Sequence, residues 1–201
     1  MNSLITYLME RPLVYGLWQA PFVADKFTPV LAHNDLTKVR RVLDVGCGPG
    51  TNTDIFRVAD YLGVDINPDY IKSARRKHKR PFIVADVTTY DDHAAGKFDF
   101  ILINSFLHHV DNADVDKVLS RTTQWLTPDG DLHIIEVVLP ENRSIPQLLA
   151  KWDRGQYTRP LSHWRGLFER HLDIAVFEPF SLKLIGTALW DMVYCKGRGK
   201  P

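Results

Sequence analysis

The chain has 201 residues, 45% of them hydrophobic and 24% charged, which is the size and balance of one globular domain able to bury a full core. Its 25 basic and 24 acidic residues nearly cancel, so no overall field draws it to nucleic acid or to an anionic membrane, although local patches stay open. Two cysteines, Cys47 and Cys195, lie too far apart in sequence for a metal-type spacing or a disulfide framework.

The first residues lack the basic start and long apolar core of a signal peptide. No stretch reaches the ~20 apolar residues of a membrane span. A soluble, cytoplasmic protein is therefore the expectation. Residues 1–38 read as a helical N-terminal cap of several short helices, broken at Pro12, Pro21 and Pro29. Its aromatics Tyr15 and Trp18 are candidates to face a ligand pocket.

From Val39 strands and helices alternate, which argues for βαβ units around a parallel sheet, with residues 39–195 as the core. Arg41 to Val45 is the first strand. It runs into Gly46-Cys47-Gly48-Pro49-Gly50, a turn where backbone must approach a ligand closely. A short helix is expected over Thr51 to Arg57, then a second strand from Tyr61 to Asp65. Asn67 caps the next helix, with Pro68 at its first turn, to about His78. Pro81 to Asp86 and Phe98 to Asn104 are the third and fourth strands, too apolar for an exposed sheet. A helix from about Ala113 to Leu126 precedes a turn at Pro128-Asp129-Gly130 and a fifth strand to Val138.

Residues 140–170 read as a substrate-side insertion. Helical pieces at Ser144 to Ala150 and Ser162 to Arg170 flank a long polar and aromatic loop. Leu172 to Phe177 and Leu182 to Tyr194 follow without a helix between them, so they should be antiparallel. The tail, residues 196–201, has no apolar anchor and should fray.

Ligands of a doubly wound sheet bind at the carboxyl ends of its strands, where the strand order reverses. Here four such ends carry suitable groups: the glycine turn, Asp65, Asp86, and Asn104 with Ser105. A carboxylate about 20 residues beyond the glycines is the usual means of holding ribose hydroxyls, which points to a nucleoside. A dinucleotide site wants Gly-x-Gly-x-x-Gly, whereas here the third glycine arrives one residue early, after Pro49.

Val42-Leu43-Asp44-Val45-Gly46-Cys47-Gly48-Pro49-Gly50, Gly63-Val64-Asp65-Ile66-Asn67, Val84-Ala85-Asp86-Val87 and Phe98-Asp99-Phe100-Ile101-Leu102-Ile103-Asn104 together resemble the successive motifs of class I S-adenosylmethionine-dependent methyltransferases. The resemblance covers roughly Val39 to Val138 plus the terminal strand pair. It implies a Rossmann-like, doubly wound α/β fold: seven strands, mostly parallel, with an antiparallel terminal strand. It further implies S-adenosyl-L-methionine as cofactor. Gly46, Cys47, Gly48 and Gly50 would lie by its methionine part, with Asp44 supporting the amino group and Asn104 near by. Asp65 would hold the ribose hydroxyls, with Ile66 flanking the adenine. Asp86 would accept from the adenine amino group, with Val87 adding a backbone contact.

Methyl transfer from a sulfonium is an in-line displacement with a neutral leaving group, so the protein chiefly aligns donor and acceptor and excludes water. A hydroxyl or acidic-carbon acceptor must also lose a proton, and His108 or His109 is the candidate base. Arg143, Arg154, Tyr157 and Arg159 could hold an anionic acceptor. No metal site is expected. The acceptor expected is a small molecule of lipid or secondary-metabolite type, methylated on oxygen or carbon. One alternative is a nucleic acid, prompted by the basic run 72–80, which has no interleaved stacking aromatics. The other is a partner protein that binds the cofactor without catalysis.

Overall fold

Residues 22–57, 59–90, 97–152 and 156–200 are described by a computed structural model of the chain. They build one seven-stranded sheet from β1 (Arg41–Val45), β2 (Asp60–Asp65), β3 (Phe82–Val84), β4 (Phe98–Asn104), β5 (Leu126–Val137), β6 (Leu172–Leu184) and β7 (Thr187–Gly199), in the order β3-β2-β1-β4-β5-β7-β6. All pairs from β3 to β5 are parallel, and β7 lies antiparallel between β5 and β6. The order reverses between β1 and β4, which places a crevice at their carboxyl ends.

Both sheet faces are covered, as continuous apolar strands require. Along β4, Phe98, Ile101 and Ile103 pack on one side against α3 (Asn112–Gln124) and α5 (Leu161–Glu169), through Val115, Val118, Leu119, Trp164, Leu167 and Phe168. Phe100 and Leu102 point the other way, into a second cluster with α1 (Val23–His33), α2 (Pro68–Lys77) and α4 (Ile145–Trp152). That second cluster contains Phe27, Val30, Ile71, Ala74 and Ala150. Helix starts follow local chemistry: Asn67 accepts from the Asp69 and Tyr70 amides ahead of Pro68, and Asp111 accepts from the Asp114 amide.

Four readings of the sequence need correction. The helix expected over Thr51 to Arg57 is only a 3-10 turn, Thr53–Ile55, because the Asn52 carboxamide turns inward to Asp44 instead of capping. The expected turn at Pro128 to Gly130 lies inside β5, as a register shift between the pairs Phe98↔Leu126 and Phe100↔Asp131. The last two strands are longer than expected and join at Ile185-Gly186, where both φ angles are positive (50° and 78°). Ile185 is 98% exposed there, so its apolar character misled the pattern. Finally, Lys196 to Gly199 belong to β7 and do not fray. Pairing with β6 holds the whole stretch without apolar side chains, and β5 adds a second partner strand at Lys196 and Gly197, the latter pairing with both Leu132 and Ile174.

Of the N-terminal cap, α1 is described and packs Phe27 and Val30 under the sheet. Tyr15 and Trp18 lie outside the described residues. No helix among those residues is long and apolar enough to cross a membrane.

Candidate active site

The crevice opens where β1 and β2 end. Past their last pair, Val45↔Val64, the Gly46 and Cys47 amides both bond to the Val64 carbonyl, at 2.8 and 3.1 Å, and the chain peels away as a turn. Gly46, Gly48 and Gly50 all adopt positive φ, at 69°, 54° and 81°. A Cβ on Gly46 would also come within 3.0 Å of Phe106. Other L-residues are strained in this conformation, and the turn presents bare backbone as a consequence.

Above it lies a cavity of about 640 Å³, within the range of small-molecule sites. Gly46 and Gly48 line its floor. Asp65, Ile66, Asp86 and Val87 stand on one flank, and Ser105, Phe106, His109 and Val110 on the other. Asp65 Oδ2 accepts from the Gly48 amide and Oδ1 from the Asn67 amide, each at 2.8 Å. One lone pair on each oxygen is left for a ligand hydroxyl. Burial raises the Asp65 pKa above its usual value, opposed by these two amides. Asp86 Oδ1 accepts from the Thr88 amide and hydroxyl at 2.8 and 2.7 Å, leaving Oδ2 for another donor. Ile66 is 65% exposed, an apolar face beside the cavity with little protein against it.

Not all the expected cofactor residues reach this cavity. Asp44 is fully buried behind the turn. It accepts from the Tyr61 hydroxyl at 2.7 Å and from Asn52 Nδ2 at 3.2 Å, and burial drives its pKa up to about 7. Asn52 Oδ1 in turn accepts from Asn104 Nδ2 at 3.2 Å, and Asn104 Oδ1 accepts from the Ser105 hydroxyl. Asp44 and Asn104 thus connect to the cavity through Ser105, which also accepts from the buried Lys26 ammonium at 3.1 Å. Cys47 is buried and its thiol pKa is pushed up by burial and by Asp44, so it is a filler and not a nucleophile.

The two histidines separate. His109 is exposed and lines the cavity. His108 is 1% exposed, and its Nδ1 lies 2.7 Å from Glu136 Oε2, so it is placed to brace the wall and not to meet an acceptor.

The expected acceptor residues separate too. Arg143 and Tyr157 are exposed, and Arg154 lies outside the described residues. Arg159 needs correction. It is 4% exposed, and its guanidinium donates to the Leu107, Tyr157 and Val110 carbonyls and to Asn112 Oδ1, leaving it bound to the protein's own backbone. Among the described residues no cluster of three or more His, Cys, Asp or Glu could hold a metal ion.

Among the residues that escaped the sequence reading are Asn52, Tyr61 and Glu136, which hold the site from behind, along with Lys26 and the cavity-lining Phe106 and Val110. Glu136 carried a legible signal, a carboxylate inside the apolar run Leu132 to Val138, the same signal that singles out Asp44.

Known proteins resemble this chain in sequence and in fold. Residues 42–130 match the family model for the methyltransferase domain. The chain is 32% identical over 124 residues to trans-aconitate 2-methyltransferase of Variovorax paradoxus, a match covering 58% of this chain and 45% of that protein. Over this stretch the chain is similar to class I S-adenosylmethionine-dependent methyltransferases. Among solved structures, a protein from Pyrococcus horikoshii superposes with a TM-score of 0.71 at 18% identity, covering 91% of each chain. The N-methyltransferase NodS of Bradyrhizobium japonicum, solved with S-adenosyl-L-homocysteine, superposes with a TM-score of 0.70 at 16% identity, covering 90% of this chain and 89% of that one. These two likenesses show the fold. The chain spans about half the length of the curated relatives it matches, 45% and 44% of the first two.

Proposed function

We propose that the protein binds S-adenosylmethionine in the strand-end cavity and transfers its methyl group to oxygen or carbon of a small molecule. One observation carries this reading: the Asp65 and Asp86 carboxylates stand at successive strand ends along one flank of a cavity floored by Gly46 and Gly48, while Gly50, the third glycine of the turn, does not line it. The residues suit the cofactor. Asp65 has acceptor capacity for two ribose hydroxyls, Asp86 Oδ2 for an adenine amino group, and Ile66 offers an apolar face to the base. Bound S-adenosylmethionine supplies a methyl group on a sulfonium, activated for in-line displacement.

What the chain then contributes is alignment and exclusion of water. Phe106 and Val110 wall the cavity with apolar surface, and Ser105, fixed by Lys26 and Asn104, orients polar atoms at the end of β4. Where the acceptor is a hydroxyl or an acidic carbon, His109 is the cavity-facing group able to take its proton. A carboxylate acceptor needs no base.

The small-molecule reading is supported over nucleic acid by how the basic run is used. Arg75 donates to the Phe82 carbonyl, and Arg80 to the Phe56, Arg57 and Ala59 carbonyls, so both brace the fold. Trans-aconitate is the first acceptor to try, because several relatives carry that name. The test is label transfer from methyl-labelled S-adenosylmethionine to trans-aconitate, to a set of small acids and hydroxylated lipids, to a metabolite extract, and to total RNA. Labelled small-molecule product supports the reading. Label appearing only in RNA would replace it, and saturable cofactor binding without any labelled product would favour a non-catalytic binding protein.

A further inference from the structure

The five-residue turn Phe106 to Val110 forms one wall of the cavity, yet it contains only a single 3-10 turn, Leu107–His109. Its backbone groups must find partners elsewhere or remain unsatisfied. From the sheet side Glu136, fully buried at the end of β5, accepts the Phe106 and Leu107 amides on Oε1 at 2.8 and 2.6 Å, and His108 Nδ1 on Oε2. Burial alone would raise the Glu136 pKa, but His108 and these amides hold it below the usual value. From the opposite side Arg159 takes the carbonyls, Leu107 through Nη1 at 3.2 Å and Val110 through Nη2 at 2.9 Å. The Tyr157 amide takes the His108 carbonyl at 3.0 Å.

Arg159 is itself fixed. Its Nε donates to Asn112 Oδ1 at 2.8 Å, its guanidinium carbon lies 4.8 Å from the centre of the Trp164 ring, and its carbonyl accepts from the Leu139 amide. Trp164 in turn donates to the Val137 carbonyl.

We propose that Glu136 and Arg159 are a positioning pair that clamps this cavity wall, and that the Arg159 half couples the wall to the segment after β5. The inference rests on the cofactor reading above. Phe106, His109 and Val110 face the cavity from the clamped turn, while Tyr157 and Arg159 belong to the segment expected to meet the acceptor. Ordering either side therefore orders the other. Arginine is suited to the task because its planar fork reaches carbonyls in several directions at once, whereas lysine has one nitrogen at the end of a flexible stem. Substituting lysine at 159 keeps the buried charge and removes the fork.

Residue-resolved hydrogen exchange and calorimetry with S-adenosylhomocysteine, on the wild type and Arg159→Lys, test this. Without ligand, the His109, Val110 and Tyr157 amides of Arg159→Lys should exchange at least tenfold faster, with those of Val42 to Val45 unchanged. S-adenosylhomocysteine affinity should fall five- to tenfold, and the protection that the ligand confers on Tyr157 in the wild type should be lost. Unchanged exchange at the three amides, or acceleration that includes Val42 to Val45, overturns the clamp. Faster local exchange with affinity within twofold of wild type overturns its positioning role. If Arg159→Lys does not fold, Asn112→Ala, which removes only the Nε partner, should shift the same amides about threefold, and no shift there counts equally against the proposal. Absence of S-adenosylhomocysteine binding to the wild type would sink the cofactor reading, while the ligand-free exchange comparison would still decide the clamp.

Discussion

Replacing Asp44 with asparagine should change how stability depends on pH. Asp44 is fully buried, and its pKa is raised from 3.8 to about 7 because burial outweighs the bonds from Tyr61 and Asn52. A carboxyl whose folded pKa exceeds its unfolded value holds its proton more tightly when folded. Its contribution to stability is therefore complete below pH 3.8 and is lost as pH rises through 7. At ~1.4 kcal/mol per pKa unit, the loss between pH 5 and pH 8 is about 2–3 kcal/mol. In Asp44→Asn the side-chain carbonyl can take the place of Oδ2, which accepts from both Tyr61 and Asn52. That variant carries no such dependence. Urea unfolding of both proteins at pH 5 and pH 8 reads the effect as a difference of differences, in which every other titrating group cancels. The variant should gain on the wild type by about 2–3 kcal/mol as pH rises across that interval. Parallel pH profiles would refute the buried, proton-holding account of Asp44.

Other consequences can be measured independently. Gly46→Ala places a methyl 3.0 Å from Phe106 at φ 69° and should cost about 1–2 kcal/mol of stability, read by denaturant unfolding; a loss under ~0.3 kcal/mol would mean that the turn relaxes freely. His133 is buried, stacks 3.7 Å from Phe100 and has its pKa lowered well below 6.5 by burial and by Lys196. Its imidazole signals should stay fixed in an NMR titration from pH 8 down through 6.5. The linked stability is present above 6.5 and is lost as acid protonates the unfolded chain. Burial also pushes up both thiols, that of Cys195 to about 12, so a disulfide reagent at pH 8 should label the folded protein far more slowly than the protein in urea.

The fold was legible wherever a strand is buried on both faces. β4 coincides with its expected bounds, Phe98 to Asn104, because its apolar run meets polar groups at each end. Strand ends set by backbone pairing alone were not legible. Lys196 to Gly199 carry no apolar signal, and the boundary between β6 and β7 rests on two backbone angles at Ile185 and Gly186.

The cavity itself followed from residue types at strand ends, since Asp65, Asp86 and the glycines need only their own strand to be placed. Which of two adjacent histidines faces it did not follow. That depends on Glu136, which lies 28 residues from His108 in sequence. Arg159 misled for a related reason. A long-loop arginine is usually solvated, but here the turn after β4 presents carbonyls that need donors, and Arg159 supplies them.

The central claim is that the strand-end cavity is a cofactor site built on Asp65. Titration calorimetry with S-adenosylhomocysteine on the wild type and on Asp65→Ala tests it most directly. The account predicts saturable one-site binding to the wild type and affinity about 30-fold weaker in the variant, equivalent to ~2 kcal/mol for a lost hydrogen-bonding carboxylate. Equal affinity in the two proteins, or binding of NAD in place of S-adenosylhomocysteine, would contradict it.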